Sequence, residues 1–177
     1  MDETLLLALN GLHAAWLDPI IAPLTELGVF AFLVVLVARA MTTRTRRDLE
    51  SMRDGSLAFF VAVFVVDTLI KPLVGRPRPT AIPALVSHLH VLGRVPPASS
   101  FSFPSGTAAA CACAAAWIAI RFGRRAGIAA ALLGLLLSLT RLYAGVHWPS
   151  DLVAGWVVGA AVALGVERLS IAISRAS

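Results

Sequence analysis

Apolar residues run along this chain in long blocks separated by short polar breaks. A helical membrane crossing takes about 17–25 predominantly apolar residues, and five blocks are candidates: 20–38, 56–73, 106–120, 126–142 and 152–166. The block 106–120 is short unless Phe101 and Phe103 extend it. None of the five alternates apolar with polar positions, as the strands of a membrane barrel do. A backbone in lipid must satisfy its own hydrogen bonds, so helices are the remaining solution. The segment 3–17 is too short to span and is broken by Asn10, Gly11 and His13. It is expected to be an interfacial helix on the membrane surface, with a sixth, partly inserted helix as the alternative. The pattern predicts an all-α bundle of about five transmembrane helices in one domain, 1–177, with an interfacial N-terminal helix.

Composition strengthens this picture. The chain is 58% hydrophobic and 14% charged, against about 45–50% and about 25% in soluble domains. That balance implies an integral membrane protein. The formal net charge of +5 then reads as topology, and no nucleic-acid partner is expected. Arg39, Arg44, Arg46, Arg47 and Arg53 fall in one polar break, Arg121, Arg124 and Arg125 in another, and Arg168 and Arg175 in the tail. Five spans put all three segments on one side, which the positive-inside rule makes cytoplasmic, with the N-terminus outside. The start "MDET" lacks a basic n-region, so no cleavable signal peptide is expected. Cys111 and Cys113 are two apart on a predicted helix and do not face each other. They are expected to be small packing residues, neither disulfide nor chelate.

The opposite side carries a different set of residues. Three clusters fall at the outer ends of the second to fifth predicted spans: "KPLVGRPRP" with Lys71 and Arg78, "PSGT" at 104–107, and "TRLYAGVHWPSD" with Thr140, Arg141, His147 and Asp151. A charge at membrane depth is costly and marks a functional site by default. Guanidinium matches phosphate oxygens bidentately. Ser105 offers a hydroxyl, and Gly106 offers a bare amide at a helix N-terminus that favours an anion. Together they outline a phosphate cage that needs no metal and no cofactor. His147 then suits a nucleophile or general base, with Asp151 holding its other ring nitrogen. Each part also has a plainer role. Lys71 and Arg141 can be snorkelling anchors, Asp151 a helix cap, His147 with Trp148 an interfacial pair, and Asp67 a partner one turn before Lys71.

The joint pattern resembles the type 2 phosphatidic-acid phosphatase superfamily, membrane lipid phosphatases related to glucose-6-phosphatase and the vanadium haloperoxidases. The family pattern is Lys, six residues, Arg-Pro; then Pro-Ser-Gly-His; then Ser-Arg, five residues, His, three residues, Asp. Lys71 with Arg78-Pro79 fits the first part, and Arg141, His147 and Asp151 fit the third. The resemblance implies that His147 attacks phosphorus and becomes a phosphohistidine, and that Asp151 orients it. It also implies that Lys71, Arg78, Ser105, Gly106 and Arg141 bind the phosphate. The partner is then a membrane lipid, approached from the outer face of the cytoplasmic membrane; oligomeric state is not readable.

Two positions depart from the pattern. Thr140 stands for Ser and keeps the hydroxyl. Thr107 stands for the histidine that in the family protonates the leaving group. A lipid alcohol leaves badly as an alkoxide, since even water has a pKa of about 15.7. A lipid monophosphate, with a second pKa of about 6, leaves well without a proton. Thr107 therefore favours a diphosphate substrate, such as an undecaprenyl-type isoprenoid diphosphate. His88 or His90 from the outer loop is a possible substitute acid. Transfer of the phosphoryl group to another lipid, and a non-catalytic lipid-phosphate binder or transporter, are the alternatives.

Overall fold

The computed structural model describes residues 1–27, 30, 45–97 and 99–176. Among these, all regular structure is helical, and β pairing is limited to one bridge between Pro77 and Phe101. The helices are α1 (Asp2–Asn10), α2 (Asp18–Leu27), α3 (Arg46–Phe64), α4 (Lys71–Val74), α5 (Pro83–Val86), α6 (Gly106–Phe122), α7 (Arg124–Tyr143) and α8 (Pro149–Ala176). A π-helical turn, Val65–Ile70, joins α3 to α4 without a break. Gly75, at φ 64°, ends that rod in the left-handed conformation a glycine adopts at no steric cost.

Helix α6 sits at the centre. Its small residues Ala108 to Ala115 are all buried, which lets α7 and α8 lie along it while α3 rests on α6 and α8. The approach of α8 is close enough to require glycine. A Cβ on Gly159 would lie 2.0 Å from the Ala109 carbonyl oxygen, and one on Gly155 would lie 2.5 Å from that of Ser105. Between membrane helices lipid is as apolar as leucine, so this backbone contact, rather than hydrophobic burial, drives association. The outward faces carry Leu132, Leu136, Val153 and Val157, all exposed and suited to lipid.

Among the described residues, three rods are long and apolar enough to cross a membrane: Asp48–Val74, Arg124–Tyr143 and Pro149–Ala176. Helix α6 is a shorter apolar helix that Phe101 and Phe103 do not lengthen, because the helix starts at Gly106. The expected span 20–38 begins in α2, and most of it, with Arg39 and Arg44, lies outside the described residues. The span expected at 56–73 starts in the middle of a rod that begins at Arg46, and the one expected at 152–166 continues to Ala176.

The expected helix 3–17 is corrected. It stops at Asn10, and turns carry the chain to Leu17. The cause is the Asn10 side chain, which is buried among other elements. Its amide donates to the carbonyls of Tyr143 at 2.7 Å, Leu142 at 3.3 Å and His90 at 2.8 Å, and its oxygen accepts the His90 amide at 2.8 Å. It thus satisfies orphan carbonyls at the end of α7. Leu6, fully buried, adds α1 to a core with Leu85, Ala108, Leu142, Trp148 and Leu152. Helix α1 is docked on the protein as well as facing outward through Leu5, Leu12 and Trp16 at its edge.

The free cysteines Cys111 and Cys113 are buried in α6. The proline-rich segment between Gly75 and Ser102 holds only a 3₁₀ turn, Pro79–Ala81, and the one-turn α5. Its ends are joined by the Ser102 amide, which donates to the Arg76 carbonyl at 2.9 Å, and it is pinned to the bundle by the Trp148 indole, which donates to the Pro77 carbonyl at 3.0 Å.

Candidate active site

The start of α8 shows how local helix physics builds a site. Pro149 occupies the first helical position, where its missing N–H costs nothing. Asp151, two residues on, reaches back so that its Oδ2 accepts the Trp148 amide at 2.9 Å, one half of a capping box. The same carboxylate oxygen faces His147 Nδ1 at 3.2 Å, and Asp151 is completely buried. The cap and the histidine partner are therefore one group.

The other ring nitrogen fixes the tautomer. Arg78 Nη1 lies 3.1 Å from His147 Nε2 and 2.9 Å from the Val146 carbonyl, while its Nε donates to Ser100 Oγ at 2.9 Å. A guanidinium has no acceptor, so Nε2 accepts, and the ring proton sits on Nδ1 toward Asp151. His147 is a neutral imidazole. Burial pushes its pKa down to about 3; the nearby Arg78 and Arg141 push the same way, against the Asp151 hydrogen bond.

His147 opens onto a cavity of about 330 Å³. Its lining combines Lys71, Arg78, Arg141, Gly106, Thr107 and Asp67 with Phe30, Phe59, Phe60 and Val63. Lys71 donates to Asp67 Oδ1. Arg141 donates to the Thr25 carbonyl at 2.7 Å, and its buried Nε has no hydrogen-bond partner. A Cβ on Gly106 would lie 3.4 Å from Asp67 Oδ1 and 3.8 Å from Lys71 Nζ, ordinary contact distances that place the start of α6 directly against this pair. The cavity is amphipathic, lined by cations and a helix N-terminus and also by phenylalanines. That shape suits an anion carried on an apolar chain.

The structure brings together most of the residues singled out in the sequence, and separates some. Ser105 is buried as the cap of α6, where its hydroxyl accepts the Ala108 amide at 3.4 Å, and it does not line the cavity. Thr140 turns its hydroxyl back to the Leu137 carbonyl at 2.7 Å. His88 and His90 lie off the cavity. The His90 ring stacks on His13 at 4.2 Å and places Nε2 3.1 Å from Asp18 Oδ1.

Sequence reasoning missed Arg76 and Asp2. Arg76 donates to the buried Asp151 Oδ1 at 2.9 Å, to Ser150 Oγ at 2.6 Å and to Asp2 Oδ2 at 2.7 Å, and lies over the Trp148 ring. Asp2 also accepts the Ser150 amide at 3.0 Å, placing its carboxylate at the positive end of α8. Burial raises the Asp2 pKa, but the hydrogen bonds from Arg76 and Ser150 outweigh it and hold the carboxyl below its ordinary value. The repeat "RPRP" was the available signal: its first arginine is as close to the site as its second.

Comparison with known proteins agrees with this geometry. Residues 55–173 match the family model described as the PAP2 superfamily. The chain is 30% identical over 175 residues to the undecaprenyl-diphosphatase BcrC of Bacillus subtilis, covering 96% of this chain and 84% of that protein. It is 28% identical over 162 residues to the lipid A 4'-phosphatase of Bacteroides thetaiotaomicron, covering 90% of this chain and 72% of that one. Its fold matches the crystal structure of Aquifex aeolicus LpxE with a TM-score of 0.75 over 93% of each chain, at 23% identity. A match across two thirds of the chain, holding every residue of the cationic cage, is not a local coincidence: the chain belongs to the PAP2 superfamily.

Proposed function

We propose that this lipid phosphatase hydrolyses the terminal phosphate of an isoprenoid diphosphate, at the outer face of the cytoplasmic membrane, through a phosphohistidine on His147. The observation that carries the proposal is the His147 ring: Nδ1 toward Asp151, and the Nε2 lone pair held by Arg78 in a cavity lined by cations and phenylalanines.

In the first step Arg78 gives up Nε2 for the phosphoryl oxygens, the freed Nε2 lone pair forms a bond to phosphorus, and the bond to the bridging oxygen breaks. The lipid monophosphate leaves with that electron pair. Arg78, Arg141, Lys71 and the α6 amides from Gly106 onward stabilise the charge spread over the phosphoryl oxygens. Asp151 stabilises the positive charge that grows on the ring, and Arg76 holds Asp151. Ser105 acts by capping the helix that presents those amides. In the second step water returns the enzyme and yields inorganic phosphate. No group at position 107 protonates the leaving group, which restricts the reaction to leaving groups that depart as anions.

What supports the outer-face reading is the positive-inside rule: Arg121, Arg124, Arg125, Arg168 and Arg175 fall at the ends of α6, α7 and α8 away from His147.

The test is phosphate release by purified protein in detergent, from undecaprenyl diphosphate and undecaprenyl monophosphate in parallel. Diphosphate is expected to turn over faster by about 10²-fold or more, the usual worth of a general acid. Equal rates would overturn the diphosphate assignment. Labelled phosphate appearing on a second lipid, with none released, would replace hydrolysis by transfer.

A further inference from the structure

The second half-reaction needs a proton acceptor, and the cavity contains one that the family pattern does not use. Water attacking a phosphohistidine must lose a proton. Nε2 is then bonded to phosphorus, Thr107 is a neutral hydroxyl, and guanidinium and ammonium groups only donate. The chain has ten carboxylates and four histidines, and of these only Asp67 and His147 line the cavity. The residues outside the described set contain no Asp, Glu or His.

Asp67 is placed to act. It sits in the π-helical turn Val65–Ile70, a local widening that is frequent at functional sites. Its Oδ1 accepts from Lys71, the one hydrogen bond its side chain makes among the described residues. The side chain is 48% exposed and so reaches water. Both carboxylate oxygens lie over Gly106, at 3.4 and 3.7 Å from the position a Cβ would take, where α6 presents its first amides.

We infer that Asp67 is the general base for hydrolysis of the phosphohistidine, resting on the reading of His147 given above. Asp67 Oδ2 takes a proton from water as the water oxygen bonds to phosphorus. The P–N bond breaks, its electron pair returns to Nε2, and inorganic phosphate leaves. Asp67 then gives its proton to solvent. Lys71 holds the carboxylate beside an anion that would otherwise repel it. The two halves of the reaction thus differ in kind: the first needs no acid because of its leaving group, and the second has its own base.

The experiment uses full-length wild type, Asp67→Asn and Asp67→Glu in detergent, with undecaprenyl diphosphate labelled on the terminal phosphorus. Asp67→Asn is expected to release about one equivalent of lipid monophosphate per site in a burst and to accumulate acid-labile phosphoenzyme. Its release of inorganic phosphate should fall by about 10²- to 10⁴-fold. Added formate should restore part of that rate, and Asp67→Glu should retain most of it. The burst itself reports that the variant is folded. Phosphate release within threefold of wild type from Asp67→Asn overturns the inference. So does a burst slowed in step with release, which would assign Asp67 to the first half-reaction or to the fold. Turnover of the diphosphate with no phosphoenzyme in either protein would instead overturn the phosphohistidine reading, and the inference with it.

Discussion

The two ends of the bundle contain the same kinds of residue and use them differently. At the end carrying the tail of α8, arginine meets carboxylate. Arg121 lies 2.6 Å from Glu167, and Arg53 lies 2.9 Å from the buried Asp54, which also accepts from Ser170 at 2.6 Å. At the end carrying His147, Arg78 and Arg141 are held by the neutral carbonyls of Val146 and Thr25, with no carboxylate in hydrogen-bond contact among the described residues. Backbone carbonyls orient a guanidinium without cancelling its charge. The far end ties α3, α6 and α8 together through ion pairs; the near end pairs Arg76 and Lys71 with carboxylates and leaves the charge of Arg78 and Arg141 available to an anion. Partner identity, rather than residue type, separates a fastening from a site.

Substitutions at the near end should act on chemistry. His147→Ala removes the proposed nucleophile and is expected to lower turnover by on the order of 10⁴- to 10⁶-fold, with phosphate binding retained in an equilibrium assay. Arg78→Ala or Arg141→Ala removes one donor from the transition-state oxygens and should cost about 10²- to 10³-fold in kcat. Arg121→Ala at the far end should leave kcat unchanged and lower stability by about 1–3 kcal/mol, the range for a hydrogen bond to a charged group, read as a shift in detergent denaturation. A fall in kcat for Arg121→Ala matching that for Arg78→Ala would erase the distinction between the ends.

Arg76 tests whether positioning extends beyond the cage. Arg76→Ala leaves Asp151 Oδ1 unpartnered, and about a tenfold fall in kcat at unchanged KM is expected, the size of one charged hydrogen bond. A smaller effect is expected of Asp2→Ala, which touches the same arginine from outside.

Titration supplies the finest test. The folded pKa of His147 is depressed to about 3, from an ordinary value of 6.5. Between those values the unfolded chain binds a proton that the folded chain does not, so this group's contribution to stability is intact above about 6.5 and falls as pH drops toward 3. Nitrogen-15 spectra of the histidine rings should show His147 neutral, with its proton on Nδ1, from pH 8 down to pH 5. A titration near 6.5 would contradict the buried neutral ring.

Much of this was legible in the chain. Block lengths and low charge implied a helical membrane protein, and the spacings of Lys71, Arg78, Arg141, His147 and Asp151 singled out residues that the fold brings together. What stayed hidden were contacts between distant segments. Asn10 read as a helix breaker, and it is one because it serves the end of α7 and the His90 backbone. Arg76 read as half of a repeat, and only the fold sets it on Asp151. Ser105 read as a ligand because a hydroxyl is an acceptor and a donor alike; burial at the head of α6 decides for the cap. Asp67 read as a helix-face partner of Lys71, and only the fold shows that it lines the same cavity as His147.

The central claim is that this phosphatase works without a proton donor at position 107 because its leaving group needs none. The most direct measurement compares wild type and Thr107→His for phosphate release from undecaprenyl monophosphate and from the diphosphate. The account predicts that the substitution raises the monophosphate rate by about 10²-fold or more and changes the diphosphate rate little. A wild-type protein inactive on both substrates, with Thr107→His restoring both, would contradict it.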